Sequence, residues 1–143
     1  MDKTALEFEH IHLISKDPKA AAAWYVNMLD GEIVSESLVR NAPQIAVRFG
    51  KMSLLIRSKR KGEDPRDPGP LKHFADYISH DTWGTDHFGF RVYGDLDAFC
   101  SRLSEKGASF SVEPYDFVPG ARIAYLEAPD GVSIELVQAK SSQ

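Results

Sequence analysis

The chain has 143 residues, of which 43% are hydrophobic and 27% charged, and it carries a formal net charge of −4. This length and composition are typical of one well-buried domain, or of two small modules that share a core. The mild acidity argues against binding to a nucleic-acid backbone, and no apolar run approaches the roughly 20 residues that cross a bilayer. The first residues lack a signal-peptide pattern and the single cysteine, Cys100, cannot form an internal disulfide, so we expect a cytoplasmic protein with no membrane partner.

The first half of the chain predicts one helix among four strands. Residues 7–15 alternate as a strand does, and Asp17 with Pro18 then fits the N-cap and first position of an Ala-rich helix. The predicted elements in chain order are a strand at 7–15, a helix at 19–29, a strand at 32–40, a turn at 41–43, and a hairpin of 44–49 with 51–57 about Gly50. This order is β-α-β-β-β.

The middle of the chain, residues 58–86, differs in composition from both halves. It begins as a loop at 59–70 that is charged and rich in Pro and Gly, and Leu71 to Ile78 predicts a short helix. The basic run 57–61 is interpreted as a solvated loop, with binding of an anionic substrate tail as the alternative. A connection this long often serves as a lid or a partner contact. Its aromatic and histidine side chains are therefore candidates for the pocket, with ordinary packing as the alternative: Tyr77, His80 and Trp83.

The second half repeats the order of the first. The predicted elements are a strand at 86–92, a helix at 95–106, a strand at 109–114, a loop at 115–120, and a hairpin of 122–126 with 132–138 through the turn 128–131. A histidine opens the first strand of each half, His10 and His87, and one acid, Glu135, lies inside the apolar last strand. Two histidines and a carboxylate on strands of a duplicated fold predict a metal site built between the halves.

His12 competes with His10 as a ligand, because residues two apart on a strand share a face. Alignment of the two halves places His10 opposite His87 and His12 opposite Gly89, which favours His10. His12 is then either a pocket-lining or a structural residue. Helical spacing predicts that Cys100 and the neighbours Trp24 and Tyr25 belong to the core.

Three segments resemble the vicinal oxygen chelate superfamily, which includes glyoxalase I, methylmalonyl-CoA epimerase, fosfomycin-resistance thiol transferases and extradiol dioxygenases. They are EHIHL at 9–13, DHFGFRV at 86–92 and APDGVSIEL at 128–136, within a resemblance that covers about residues 8–138. The resemblance implies an α+β fold in which two tandem βαβββ modules form a curved, partly open mixed-sheet barrel. It implies a single domain over 1–143, with modules at about 7–57 and 86–138 and a connecting loop at about 58–85.

The resemblance also implies the ligands of a divalent transition metal, which is Fe, Mn, Zn, Ni or Co. Carried over by position, the ligands are His10, His87 and Glu135. The fourth family position holds Leu55, which cannot ligate, so the expected site has two histidines, one glutamate and open positions for water or substrate. The candidate catalytic residues are Glu135, His80 and Tyr77.

The leading hypothesis is a metal-dependent, glyoxalase-like lyase or isomerase that acts on a small oxygen-chelating substrate. One alternative is an Fe(II)-dependent extradiol-type dioxygenase, which the ligand set fits, although Leu136 follows the acid where that class usually has an aromatic residue. The others are a thiol transferase and a metal-free small-molecule-binding or resistance protein. The resemblance further implies a homodimer.

Overall fold

The computed structural model describes residues 3–69 and 82–140. The chain divides into two compact units, Met1–Arg66 and Asp67–Gln143. Among the described residues, each unit contains one α-helix and one four-stranded mixed sheet, so the predicted pair of βαβββ modules is confirmed. In the part of the chain that is described, no helix is long and apolar enough to cross a membrane.

The first unit follows the predicted order of elements. They are β1 (His10–Ile14), α1 (Pro18–Leu29), β2 (Glu32–Val39), β3 (Ala42–Phe49) and β4 (Met52–Arg57). The sheet order is β1-β4-β3-β2, with β1 and β4 parallel and the other pairs antiparallel. The expected N-cap is confirmed, because the Ala20 N–H donates to Asp17 Oδ1 at 3.1 Å. Asp30, in a left-handed conformation, ends the helix.

The turn between β2 and β3 lies earlier than the predicted 41–43. β3 begins at Ala42, and the two turn residues are Arg40 and Asn41, with φ of 51° and 64°. Two left-handed residues match the right-handed twist of paired strands in a tight hairpin. Pro43 did not end the strand because it lies next to the turn, where a strand tolerates a missing N–H.

The two faces of the first sheet have different roles. Val47, Leu54 and Ile56 are fully buried on one face, and α1 contacts both β3 and β4. Because side chains alternate along a strand, His10 and His12 lie on the opposite face. The core therefore holds β1 in place while the side chains of its two histidines stay exposed.

The second unit has the elements β5 (Phe88–Val92), α2 (Leu96–Glu105), β6 (Ser109–Val118), β7 (Ala121–Glu127), a 3-10 turn (Pro129–Gly131) and β8 (Ser133–Gln138). The sheet order is β5-β8-β7-β6, with β5 and β8 parallel. The predicted loop at 115–120 is wrong, because β6 continues to Val118. Its pairing with β7 shifts register three times, once across Pro114. Such bulges let a strand pass a proline that would otherwise end it.

The second sheet has buried hydrophobic residues on both faces. Leu126, Ile134 and Leu136 are fully buried on one of them. A smaller cluster of Val112, Ile123 and Tyr125 occupies the other face, with Tyr115 and Val137 packed against it. Cys100 lies in α2 and is 3% exposed, which confirms its predicted place in the core.

Candidate metal centre

His87 and Glu135 lie together on one face of the second sheet. His87 immediately precedes β5, and the parallel pairing of β5 with β8 sets Gly89 beside Glu135. Glu135 therefore projects from the same face of the sheet as His87, because its partner Gly89 follows His87 by two residues. The two side chains converge, with His87 Nε2 and Glu135 Oε2 3.1 Å apart.

The carboxylate of Asp86 holds the other nitrogen of the His87 ring. Asp86 Oδ2 lies 2.6 Å from His87 Nδ1, so in the neutral imidazole Nδ1–H donates and Nε2 carries a lone pair. That lone pair then faces an oxygen of Glu135, and two acceptors at this distance require a proton or a metal cation between them. A carboxylate behind a histidine is the usual support of a metal-binding imidazole.

The spacing of these donors fits a metal ion. Nitrogen and oxygen ligands about 2.1 Å from one ion, and at right angles to each other, lie about 3 Å apart. His87 Nε2 and Glu135 Oε2 have this separation. Imidazole and carboxylate together suit Fe, Mn, Zn, Ni and Co. The second unit therefore brings together His87 and Glu135, two of the three residues predicted as ligands.

Tyr125 belongs to this site, and the sequence analysis missed it. Its hydroxyl lies 3.5 Å from His87 Nε2, and the two rings meet edge to face at 5.1 Å between centroids. Burial, and then the negative charges of Glu135 and Asp86, raise the pKa of Tyr125, so the phenol stays protonated as a donor. The antiparallel register of β7 and β8 pairs Tyr125 with Glu135. This pairing could have been predicted from the sequence, because Tyr125 and Glu135 are equally far from Asp130 at the centre of the hairpin turn.

Gly89 leaves space beside Glu135 on the opposite side from Tyr125. A β-carbon at residue 89 would lie 3.1 Å from the backbone oxygen of Glu135 and 3.4 Å from its β-carbon. A side chain at residue 89 would crowd the backbone and β-carbon of Glu135, so glycine allows the two strands to approach closely here. Glu135 therefore projects between a tyrosine on one neighbouring strand and a glycine on the other.

The first unit repeats part of this arrangement. His10 opens β1, and its Nδ1 contacts the carboxylate of the preceding residue, Glu9, as His87 contacts Asp86. His12 lies two residues further on the same face, with 6.1 Å between the ring centroids of the two histidines. The register of β1 and β4 pairs His12 with Leu55, the position that corresponds to Glu135.

His12 lies in a partly desolvated, positively charged environment. Burial, and then the positive charges of Arg57, Arg60 and His10, lower the pKa of His12. The predicted solvated loop at 57–61 is wrong for Arg57, whose side chain is 9% exposed. Arg57 donates to both carboxylate oxygens of Glu63, at 2.7 and 3.2 Å, and the pKa of Glu63 falls to about 2, first because of this hydrogen bonding.

Three further candidates came from the connecting segment. Tyr77 and His80 lie outside the described residues. Trp83, predicted as a pocket candidate with ordinary packing as the alternative, is fully exposed, so the packing is not observed. Across residues 3–69 and 82–140, no three His, Cys, Asp or Glu side chains are grouped as a metal site. Tyr25 is buried in the core as predicted, with the Trp24 ring edge to face at 5.0 Å.

Comparison with known proteins assigns the fold and the family. Residues 7–136 match the sequence profile of the Glyoxalase/Bleomycin resistance protein/Dioxygenase superfamily. No curated protein matches the chain. A glyoxylase/bleomycin resistance protein/dioxygenase domain from Frankia sp. EAN1pec has a TM-score of 0.74 at 21% identity, over 98% of this chain and 96% of that one.

Two further solved structures illustrate how widely the fold is used. An antibiotic binding protein from Streptomyces sp. CB03234 has a TM-score of 0.67 at 19% identity, over 97% of this chain and 100% of that one. Glyoxalase I from Zea mays has a TM-score of 0.72 at 19% identity, over 94% of this chain but 45% of that one. At these identities the likeness establishes the fold, and function depends on the site.

Proposed function

Because the chain belongs to the Glyoxalase/Bleomycin resistance protein/Dioxygenase superfamily, we propose that it is a divalent-metal-dependent, glyoxalase-like lyase or isomerase. Its substrate is a small molecule with two neighbouring oxygen atoms, and its metal ligands are His10, His87 and Glu135. The observation that carries the proposal is the 3.1 Å convergence of His87 Nε2 and Glu135 Oε2, with Asp86 behind the imidazole. Asp86 distinguishes this arrangement from an ordinary surface pair of histidine and glutamate, which needs no carboxylate behind the imidazole.

In this proposal the residues of the site have different chemical roles. A bound divalent ion supplies a Lewis acid that stabilises negative charge on a substrate oxygen. Asp86 fixes the orientation of His87, and Tyr125 offers a protonated hydroxyl beside it. The second oxygen of Glu135, Oε1, accepts the proton that leaves a substrate carbon, with His80 as the alternative base and Tyr77 as a further donor.

The apolar surroundings of Glu135 support a small, partly apolar substrate. Ile123 and Val137 are register partners on β7 and β8, and Val137 follows Glu135 by two residues on the same face. Together with Val112 and Tyr115 they form the cluster that contains Tyr125. A few polar groups set in an apolar wall are typical of small-molecule sites.

The metal content of the purified protein tests this proposal. We expect about one transition-metal ion per chain in protein prepared without chelator, by elemental analysis. His87→Ala and Glu135→Gln lose the metal, whereas Glu127→Gln, an exposed acid in the neighbouring strand, keeps it. Wild-type protein that contains no metal, and takes up none of Fe, Mn, Zn, Ni or Co, would reject the proposal and favour a metal-free binding protein.

The identity of the metal decides between reaction classes. Two histidines and one carboxylate form the ligand set of non-haem iron oxygenases. Bound iron, with uptake of dioxygen in the presence of a catechol, would replace the isomerase by an extradiol-type dioxygenase. Conjugation of a thiol to an epoxide would identify a thiol transferase instead.

We also propose a homodimer located in the cytoplasm. Light scattering on the purified protein is expected to give about twice the chain mass of 15.9 kDa. The buried thiol of Cys100 is compatible with a reducing compartment. A mass of one chain at micromolar concentration would contradict the dimer without affecting the metal site.

A further inference from the structure

The loop that follows β4 is held against the first sheet by hydrogen bonds. The Ser58 N–H donates to the Pro43 carbonyl at 3.1 Å. Further along, the Glu63 N–H donates to the Arg60 carbonyl at 3.0 Å, and the Arg60 N–H donates to Glu63 Oε1 at 2.7 Å. The same carboxylate accepts from Arg57. The loop therefore brings two arginines of the first unit, Arg57 and Arg60, to one carboxylate.

The guanidinium groups of these arginines are only partly bonded. Arg57 is more than nine-tenths buried, and its two terminal nitrogens donate to Glu63 and to the Ser58 carbonyl. Its Nε is also buried but has no hydrogen-bond partner among the described residues. The half-buried Arg60 likewise has a buried Nε without a partner, and its guanidinium forms no ion pair within residues 3–69 and 82–140. Because a buried cationic donor without an acceptor is costly, both Nε groups favour an added anion.

Gln44 adds an acceptor to the same cluster. The register of β3 and β4 pairs Gln44 with Arg57, so the two side chains lie side by side on one face of the sheet. Gln44 Oε1 is buried and has no partner in the part of the chain that the structure describes. Burial, and then the charges of Arg57 and Arg60, lower the pKa of His12 on the same face, so both cations lie near this face.

The charges and the hydrogen-bonding atoms of the cluster select the class of ligand. Arg57 and Arg60 contribute two positive charges and Glu63 one negative charge, so one further negative charge balances them. A carboxylate carries this charge and offers an oxygen to each of two N–H donors. Gln44 Oε1 needs a donor instead, which a hydroxyl on the neighbouring carbon supplies.

We propose that the first unit binds a small 2-hydroxycarboxylate. The ligand's carboxylate accepts from the Nε–H groups of Arg57 and Arg60, and its hydroxyl donates to Gln44 Oε1. The half-buried side chains of Arg60 and Gln44 form the accessible side of the cluster. This site gives the basic run 57–61 the anion-binding role that was the alternative to a solvated loop. It uses residues of the first unit alone and needs no metal, so it goes beyond the proposed function.

Side-chain signals of arginine in ¹H–¹⁵N NMR spectra test the proposal on the full chain after treatment with chelator. Glycolate is the probe, as the smallest 2-hydroxycarboxylate, and acetate is the matched compound without the hydroxyl. We expect millimolar glycolate to shift the Nε–H signals of Arg57 and Arg60. The signal of Arg48, which is paired with Glu32 on the same sheet, stays unchanged. Acetate is expected to bind at least about 5-fold more weakly, because it leaves Gln44 Oε1 without a donor.

Arg60→Gln separates ligand binding from a structural role. We expect it to weaken glycolate binding at least about 10-fold, since a charge-assisted hydrogen bond is lost. The melting temperature of the ligand-free protein stays near the wild-type value, because the Arg60 guanidinium has no ion pair to lose among the described residues. Lys59→Gln removes the same charge from an exposed side chain of the same loop, and this control keeps the wild-type affinity. Gln44→Leu is the second variant and is expected to bind glycolate no better than acetate.

Several outcomes would overturn the site. They are an absence of glycolate binding in the wild-type protein, unchanged affinity in Arg60→Gln, and tighter binding of inorganic phosphate than of glycolate. Equal losses in Arg60→Gln and Lys59→Gln would replace the site by a general attraction of anions to the loop. A marked fall in the melting temperature of ligand-free Arg60→Gln would assign Arg60 a structural role instead. All of these measurements are made without metal, so their failure leaves the proposed function intact.

Discussion

Asp86→Asn isolates the contribution of the carboxylate behind His87. The substitution preserves shape but removes the charge that lies 2.6 Å from Nδ1. An asparagine amide can also present its N–H₂ group to the ring and so favour the wrong tautomer. Loss of such a supporting partner costs about 10–100-fold in metal affinity, which is about 1.4–2.7 kcal/mol. The same change has little effect on folding, because Asp86 is 46% exposed and exposed pairs contribute at most about 1 kcal/mol.

The assay compares metal affinity with the stability of the metal-free protein. Chelator competition with Zn²⁺ or Co²⁺ gives the dissociation constants, and urea unfolding without metal gives the free energy of unfolding. Glu105→Gln, an exposed acid at the end of α2, is the control for loss of one negative charge. An unchanged dissociation constant in Asp86→Asn would refute the orienting role. An equal loss of affinity in Glu105→Gln would indicate a long-range charge effect instead.

Three further predictions concern the framework around the site. Leu54→Ala, in a fully buried position, is expected to lower the free energy of unfolding by about 2–5 kcal/mol in urea titration, and a loss below 1 kcal/mol would contradict its place in the core. Burial raises the pKa of the Cys100 thiol to about 11, so a thiol reagent at pH 8 is expected to react only after unfolding, and rapid native labelling would contradict this. The pKa of Glu63 is depressed from 4.5 to about 2, so its stabilising contribution is complete above pH 4.5 and is lost as the pH falls toward 2. Glu63→Gln is therefore expected to destabilise the protein at pH 6 more than at pH 2.5, and an equal effect at both would exclude this linkage.

The sequence predicted the architecture because its signals are local and repeated. Helix 18–29 begins with an N-cap and a proline and ends at Asp30 in the left-handed conformation. Each of these signals lies within a few residues of the helix end that it determines. The length of β6 could not be predicted in this way. It depends on bulges that place Tyr115 and Val118 opposite residues of β7, and bulged pairing breaks the alternation that identifies a strand.

The candidate site was predicted in part for the same reason. His87 and Glu135 stand out as polar residues at the head of a strand and inside an apolar run, and the structure places them in contact. Tyr125 does not stand out, because a tyrosine in an apolar strand is ordinary, and its role depends on the hairpin register. His10, His87 and Glu135 stay predictions as metal ligands, as do Glu135, Tyr77 and His80 as catalytic residues.

The ladder between β5 and β8 brings His87 and Glu135 together through backbone hydrogen bonds. Small zinc-binding domains, by contrast, unfold when the metal is removed, because the ion assembles their ligands. Here the strand pairing itself brings the two side chains together, so we expect loading and release of the proposed metal to be separate from folding. We therefore expect the protein to exchange one bound ion for another without unfolding.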